Sequence, residues 1–344
     1  MVNVGIVGYG YAGRSFHAYL ISLVDGLKVR AVATRDEGRR RQAEQDYGVK
    51  TYATMDELLA DRDVQLVVIA TPHDTHAPMA IQAMNAGKHC VVDKVMCLNV
   101  AEADAMIAAS RKNRVLLSVF QNRRWDWDFL TVQQVLRSGL IGEPFLFESA
   151  VGRYAPPRRW RAERRHMGGI LHDWGAHLID QALQLVPSEV TTVFCDISNR
   201  HWDTDIGTHA KLLLKFANGV LFQIEMSYLA RAEKPRWLIL GERGALTKYG
   251  LDPQEPAMVA GNIYAAQEDP AHRAKIRTEL NGVVGELTME TVRGWWTSYY
   301  QNIADVLNKN AELNVQPEQV RRQIQILDAA MQSAARQESV AVRI

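Results

Sequence analysis

The chain has 344 residues, 47% apolar and 23% charged, and its 40 basic against 39 acidic side chains leave a formal net charge of +1. That length is too great for one small core and suggests two domains, and the balanced charge gives no reason to expect nucleic acid or an anionic membrane as a partner. No apolar run is long enough to span a bilayer, the N-terminus enters a strand without a signal-like segment, and Cys90, Cys97 and Cys195 lack metal-ligand spacing, so the expectation is a cytoplasmic protein without a metal site.

Residues 4–13 read V-G-I-V-G-Y-G-Y-A-G. Val4, Ile6 and Val7 suit a buried parallel strand that feeds Gly8, Gly10 and Gly13, spaced G-x-G-x-x-G, before a helix over 12–23. In that setting Gly8 permits a tight turn, Gly10 lets a pyrophosphate approach the backbone and Gly13 lets helix and strand pack closely. The phosphate charge then meets the free N–H groups of the helix start, which makes Gly8, Tyr9, Gly10, Tyr11, Ala12 and Gly13 candidate cofactor-binding residues.

A second strand over 27–33 ends at Thr34-Arg35, where an acidic residue would hold the ribose 2′-hydroxyl of NAD. A hydroxyl and a guanidinium instead suit a 2′-phosphate, which favours NADP(H) over NAD(H). Two readings compete with this: Arg35, Arg39 and Arg40 lining a solvated helix face, or Asp36 turning inward to the ribose. Further strands are expected over 49–52, 65–70, 89–93 and 115–120, and helices over 55–60, 76–86 and 99–112. The alternation implies a doubly wound parallel sheet, with Thr71, Pro72, Asp93, Lys94 and Gln121 at its ligand-gathering strand ends.

Past residue 120 the pattern changes. Helices are expected over 129–138 and 171–186, and strands over 145–151, 191–197, 210–216, 220–228 and 237–240 come with little helix between them. They predict a mostly antiparallel open sheet, closed by helices over 297–307 and 318–336. The domains are therefore placed at 1–120, for the dinucleotide, and 121–344, for substrate and oligomerisation. An uncovered sheet face commonly pairs, so a homodimer or homotetramer is expected.

Lys94, at the end of a cofactor-binding strand, reads either as an ordinary surface lysine or as a group placed to stabilise an alkoxide as hydride leaves. Asp173 and His177, four apart on one predicted helix, share a face, and a carboxylate beside an imidazole makes a general base for an alcohol. His172 and Asp180 project elsewhere and read as structural, and a metal site from His172, Asp173 and His177 is disfavoured because the two histidines do not share a face. Asn122, Arg124, Trp125, Arg153, Tyr154 and Trp160 combine aromatic faces with hydrogen-bond donors, as a polyhydroxylated ring requires, though an ordinary domain interface would use the same types.

Taken together these segments resemble the Gfo/Idh/MocA oxidoreductase family, named for glucose–fructose oxidoreductase and inositol dehydrogenase, over essentially the whole chain. The carrying motifs are Gly8-x-Gly10-x-x-Gly13, Thr71-Pro72 followed by His76, Ala86-Gly87-Lys88-His89, Asp93-Lys94, Asn122-Arg123-Arg124-Trp125, and Gly169 through Asp173 to His177. Segments 121–128, 154–160 and 248–255 look most like the branch containing NADP-dependent scyllo-inositol dehydrogenases. The resemblance implies a Rossmann domain followed by an α/β domain with an open sheet, His76 and Asp93 at the cofactor, and family chemistry at Lys94, Asp173 and His177. The family's proline after the lysine, often preceded by a cis peptide, is Val95 here. Because a cis bond before valine costs about 3 kcal/mol, the expectation is a differently aimed Lys94. The implied reaction is hydride transfer between NADP(H) and a secondary alcohol of a cyclic polyol or sugar. The alternatives are glycosidic cleavage through transient oxidation by a tightly held nicotinamide, and a catalytically silent cofactor sensor.

Overall fold

The computed structural model describes residues 1–344. In chain order, β1 (Val2–Val7) leads into a helical segment wound as π-type turns over Ala12–Ala18 and as α1 over Tyr19–Ser22. There follow β2 (Leu27–Ala33), α2 (Glu37–Tyr47), β3 (Lys50–Tyr52), α3 (Met55–Ala60), β4 (Leu66–Ile69), α4 (His76–Asn85), β5 (His89–Val92), α5 (Val100–Asn113) and β6 (Leu117–Val119). After α6 (Trp127–Ser138) come β7 (Pro144–Gly152), α7 (Ile170–Asp173), α8 (Gly175–Leu185), β8 (Val190–Ser198), β9 (His209–Phe216) and β10 (Leu221–Ser227). The remainder is β11 (Trp237–Gly241), β12 (Gly244–Lys248), α9 (Gln254–Val259), β13 (Ala274–Leu280), β14 (Val283–Met289), α10 (Thr297–Lys309), α11 (Pro317–Arg336) and β15 (Val340–Ala341).

The chain divides into two compact units. One holds Met1–Asn122 and Trp296–Ile324, the other Arg123–Trp295 and Gln325–Ile344. α10, although it follows the strands of the second unit in sequence, belongs to the first unit. It brings Tyr299 and Tyr300 against Phe120, with ring centroids 5.0 and 5.6 Å away.

The first unit carries a six-stranded parallel sheet in the order β3-β2-β1-β4-β5-β6. Its strands are covered on both faces, so β4 is Leu-Val-Val-Ile with every residue buried. From β1 the chain winds outward to β2 and β3, then crosses back to β4, which creates the reversal point where such sheets bind ligands. Local chemistry sets the helix starts: Asp36 accepts the Arg39 N–H at 3.1 Å, Thr54 and Glu57 form a capping box, and Asn99 accepts the Glu102 N–H at 2.9 Å.

The second unit is built on a nine-stranded sheet, β14-β13-β12-β11-β7-β10-β9-β8-β15, in which only β7 and β10 run parallel. Its strands alternate buried and accessible residues, as in β9, where Ala210, Leu212, Leu214 and Phe216 are buried. Phe147 and Phe222 stack at 5.1 Å, and α8, buried over most of its length, packs against β10. The core also contains charge. Arg236, 3% exposed, places Nε 3.0 Å from Asp128 Oδ2 and donates from Nη2 to Gln181 Oε1 at 2.7 Å.

Two departures from the sequence reading matter. The single helix expected over 171–186 is broken at Trp174, and the His177 N–H bonds back three residues to the Trp174 carbonyl at 3.0 Å. Asp173 and His177 therefore sit on either side of a break rather than on one regular helix. The β13–β14 hairpin, absent from the expected strands, closes through Asn281-Gly282, both at positive φ.

Candidate active site

In the first unit the glycines have separable duties. Gly8 has φ 93°, and a Cβ there would lie 2.4 Å from the Ala70 carbonyl oxygen; a Cβ on Gly13 would lie 1.9 Å from the Gly8 oxygen. These two allow the tight packing of strand, turn and helix. At Gly10 a Cβ would meet only Arg39 Nη1, at 3.8 Å, so the bare backbone there faces open space of the kind a pyrophosphate occupies. The residues present fit a dinucleotide. The Tyr9 side chain takes no part in that cradle: it is 2% exposed and donates to Asp46 Oδ2 at 2.9 Å. Tyr11 is exposed and packs edge-on to Phe16, which stacks on Trp296.

At the end of β2, the Asp36 side chain caps α2 by accepting the Arg39 N–H. Arg40 donates to the carbonyls of Thr34 and Arg35 at 2.7 and 3.0 Å, and Arg41 pairs with Glu37 at 2.6 Å. Arg39 pairs with Asp36 at 3.5 Å. Arg35 alone in this run is exposed with no carboxylate partner.

The other strand ends are tied together. His76, fully buried, sets Nδ1 2.7 Å from the Val95 carbonyl and Nε2 2.9 Å from the Thr71 carbonyl. It thus joins the loop after β4 to the loop after β5, with both ring nitrogens on main chain. Burial pushes its pKa down, against the opposing charge of Asp93 and the two carbonyls. Thr71 Oγ1 meets Thr75 Oγ1 at 2.6 Å beside Pro72. Asp93 accepts the Lys94 N–H at 2.8 Å. Burial alone would raise the Asp93 pKa, but His17, Lys94 and His76 hold it well below the usual carboxylate range. Lys94 is half-buried, and the Lys94–Val95 peptide is cis. The valine thus keeps the peptide geometry associated with the family's proline.

In the second unit Asp173 is gripped from two sides, by the Tyr228 hydroxyl at 3.0 Å and Arg161 Nε at 3.2 Å. Burial, then the charge and hydrogen bond of Asp173, raise the Tyr228 pKa, so the phenol is the donor. The Arg153 guanidinium lies 5.2 Å over the Tyr228 ring and that of Arg161 4.4 Å over Trp160. Arg153, Trp160 and Asp173 are therefore joined through Arg161 and the sequence-distant Tyr228. His177, 6% exposed, is edge-on to Trp174 at 6.2 Å, and Arg123 stacks on the other partner of that pair, Trp174, at 4.5 Å. Tyr154 bonds His201 Nε2 at 2.7 Å.

Arg124 is turned inward onto Asp180, and Trp125 presents its carbonyl to Gln254 Nε2 at 3.1 Å. Asn122 is 2% exposed with Nδ2 lacking a hydrogen-bond partner. His172 is buried, which pushes its pKa down to about 4. No group of three or more His, Cys, Asp or Glu side chains gathers as a metal site.

Known proteins carry the same plan. Residues 2–121 match the description "oxidoreductase family, NAD-binding Rossmann fold" and residues 129–247 the GFO/IDH/MocA C-terminal domain. The oxidoreductase YdgJ of Escherichia coli K12, itself uncharacterized, is 36% identical over 97% of this chain and 96% of its own. The chain belongs to the Gfo/Idh/MocA oxidoreductase family. Among other Gfo/Idh/MocA relatives, scyllo-inositol 2-dehydrogenase (NADP(+)) IolW of Bacillus subtilis is 29% identical over 98% of this chain and 95% of its own. The solved structure of yvaA from Bacillus subtilis superposes with a TM-score of 0.93 at 28% identity, covering 99% of this chain and 98% of that one.

The sequence did not single out some neighbours of the expected residues in either unit. Tyr228 and Arg161 hold Asp173, and His17 stands behind Asp93. For Tyr228 the only signal was its place at the end of a predicted strand.

Proposed function

We propose that the protein is an NADP(H)-preferring dehydrogenase that interconverts a secondary alcohol and a ketone on a cyclic polyol or sugar, with an inositol as the leading substrate. The observation that carries the reading is the first sheet's edge, where the Gly8–Gly13 cradle ends β1 and Lys94 follows β5. A bound nicotinamide would take or return the hydride. Lys94 stabilises the substrate oxygen as charge develops there, and His177 accepts the hydroxyl proton. Asp173, fixed by Tyr228 and Arg161, presents a carboxylate of set orientation for that exchange. Arg153, Tyr154 and Trp160 supply faces and donors for the ring, and Asn122 a free amide.

The choice of NADP(H) rests on Asp36 being spent on a helix cap while Thr34 and Arg35 remain for a 2′-phosphate. IolW, NADP-dependent by name, is consistent with it. A homodimer or homotetramer paired through the open sheet face, in a reducing cytoplasm that suits three free cysteines, completes the proposal. No helix is long and apolar enough to cross a membrane.

The test is a panel of inositols and aldoses with each nicotinamide, followed by absorbance of the reduced cofactor. The reading expects one equivalent of NADPH per ketone formed. Glycoside cleavage without net NADPH would favour transient oxidation instead, and cofactor binding with no turnover a silent sensor.

A further inference from the structure

His17 is fully buried on the helical turn that follows Gly13, so the segment that would receive a pyrophosphate also carries an imidazole into the protein interior. Its Nδ1 lies 2.5 Å from the Tyr300 hydroxyl, and that hydroxyl has no other hydrogen-bond partner. Tyr300 is itself fully buried, and burial, with the neighbouring Tyr299 and Asp93, pushes its pKa well up. The phenol therefore keeps its proton and donates it to Nδ1. With Nδ1 as the acceptor, the ring's N–H is on Nε2. That Nε2 is buried without a hydrogen-bond partner and lies 3.8 Å from Asp93 Oδ2, and the other Asp93 oxygen accepts the Lys94 N–H at 2.8 Å. Phe120, 4.6 Å from the His17 ring, closes the remaining side.

We propose that His17 is a positioning residue for Lys94: braced by Tyr300 and backed by Phe120, its buried Nε2–H faces the Asp93 carboxylate across 3.8 Å and steadies it electrostatically where it fixes the Lys94 main chain. The chain Tyr300–His17–Asp93–Lys94 also links the glycine-loop helix to the lysine-bearing loop, so the element that seats the cofactor helps aim the amine. The proposal rests on the reading that Lys94 acts on substrate. It adds a residue to which none of the motifs assigned a role.

The test compares His17→Phe, His17→Gln, Tyr300→Phe and Asp93→Asn in the full chain. His17→Phe fills the space but removes the donor; His17→Gln restores an N–H near the Nε2 position. With turnover as readout, His17→Phe is expected to lower kcat about 10- to 100-fold, as small misplacements of reacting groups do. NADPH affinity should stay within about twofold, which a merely structural collapse of the glycine-loop helix would not allow. His17→Gln should recover most of kcat, Tyr300→Phe should fall between, and His17→Phe with Asp93→Asn should lose no more than the worse single change. Equal loss of kcat and cofactor affinity, or additive losses, would overturn the proposal.

A second readout does not depend on any substrate. The rate of reductive methylation of Lys94, followed by mass spectrometry, should change by the same factor in His17→Phe and Asp93→Asn, and no further in the double variant. A wild-type rate in His17→Phe would overturn the proposal even if no polyol is turned over; a changed rate without polyol turnover would keep it while removing the dehydrogenase reading. Should His17→Phe fail to fold, the isosteric Tyr300→Phe carries both measurements.

Discussion

Asp180 takes both Nε and Nη2 of Arg124 at 2.8 Å, with each side chain less than a tenth exposed. A buried fork-to-fork pair of this kind is expensive to half-remove, because the survivor is left charged and dry. Asp180→Asn is therefore expected to lower unfolding free energy by about 3 to 5 kcal/mol, read by urea denaturation. Joint replacement with Arg124→Met and Asp180→Leu should recover most of that loss. If the single change costs nothing, the pair does not support the second unit's core.

The end of β2 gives a cofactor prediction. Arg35→Asp places a carboxylate where a 2′-phosphate is proposed to sit. Loss of one charge-assisted contact is worth about 1.5 to 3 kcal/mol, so NADPH should bind about 10- to 100-fold more weakly. NADH affinity should change much less. Fluorescence titration with both cofactors checks this, and an equal effect on each would remove Arg35 from the 2′-phosphate site.

Two buried groups pull stability in opposite directions with pH. Asp252 accepts the N–H of Trp127 at 2.7 Å and that of Gln254 at 2.9 Å, yet burial outweighs these contacts and pushes its pKa up to about 6. The folded state thus binds a proton more tightly there than the unfolded chain, so its contribution is full below pH ~4 and lost as pH rises through ~6. His172, down to about 4, does the reverse: its contribution is present above pH ~6.5 and lost as pH falls through ~4. Each spans about 2 pH units, or on the order of 3 kcal/mol, and between pH ~4 and ~6 they largely cancel. Asp252→Asn should make acid destabilisation steeper and His172→Leu should make it shallower. Urea midpoints across that range decide it, and two parallel curves would refute the assignment.

What could be seen in the sequence follows from how local its causes are. The glycine triplet after β1, the apolar run of β4 and the lysine after β5 are set by neighbours a few residues away, and these were legible. The break at Trp174 was not, since the flanking residues keep a helical pattern across it. In the β13–β14 hairpin, β14 offers no alternation to detect because Val283 to Thr288 are exposed, whereas β13 alternates, burying Ala274, Ile276 and Thr278, and its signal was legible but not used. His17 and Tyr300 are 283 positions apart, and Arg124 and Asp180 are 56, so only packing reveals those pairs. Segment 248–255, recognised only by resemblance, proves to be a brace: Asp252 caps α6 at Trp127, and Glu255 pairs with Arg123 at 3.1 Å. Val95 shows the opposite case, where the residue type suggested a changed backbone and the cis peptide was kept.

Lys94 and His177 are proposed to serve one hydride transfer from a polyol carbon. Its most direct test uses an inositol deuterated at the ring carbons, incubated with NADP⁺, and mass analysis of the cofactor. The expected result is one deuterium gained per ketone formed, with the rate lowered about 10²- to 10⁴-fold in Lys94→Met and in His177→Ala while cofactor affinity stays near wild type. Unlabelled cofactor across the whole polyol panel, or variants that transfer label at the wild-type rate, would contradict the account.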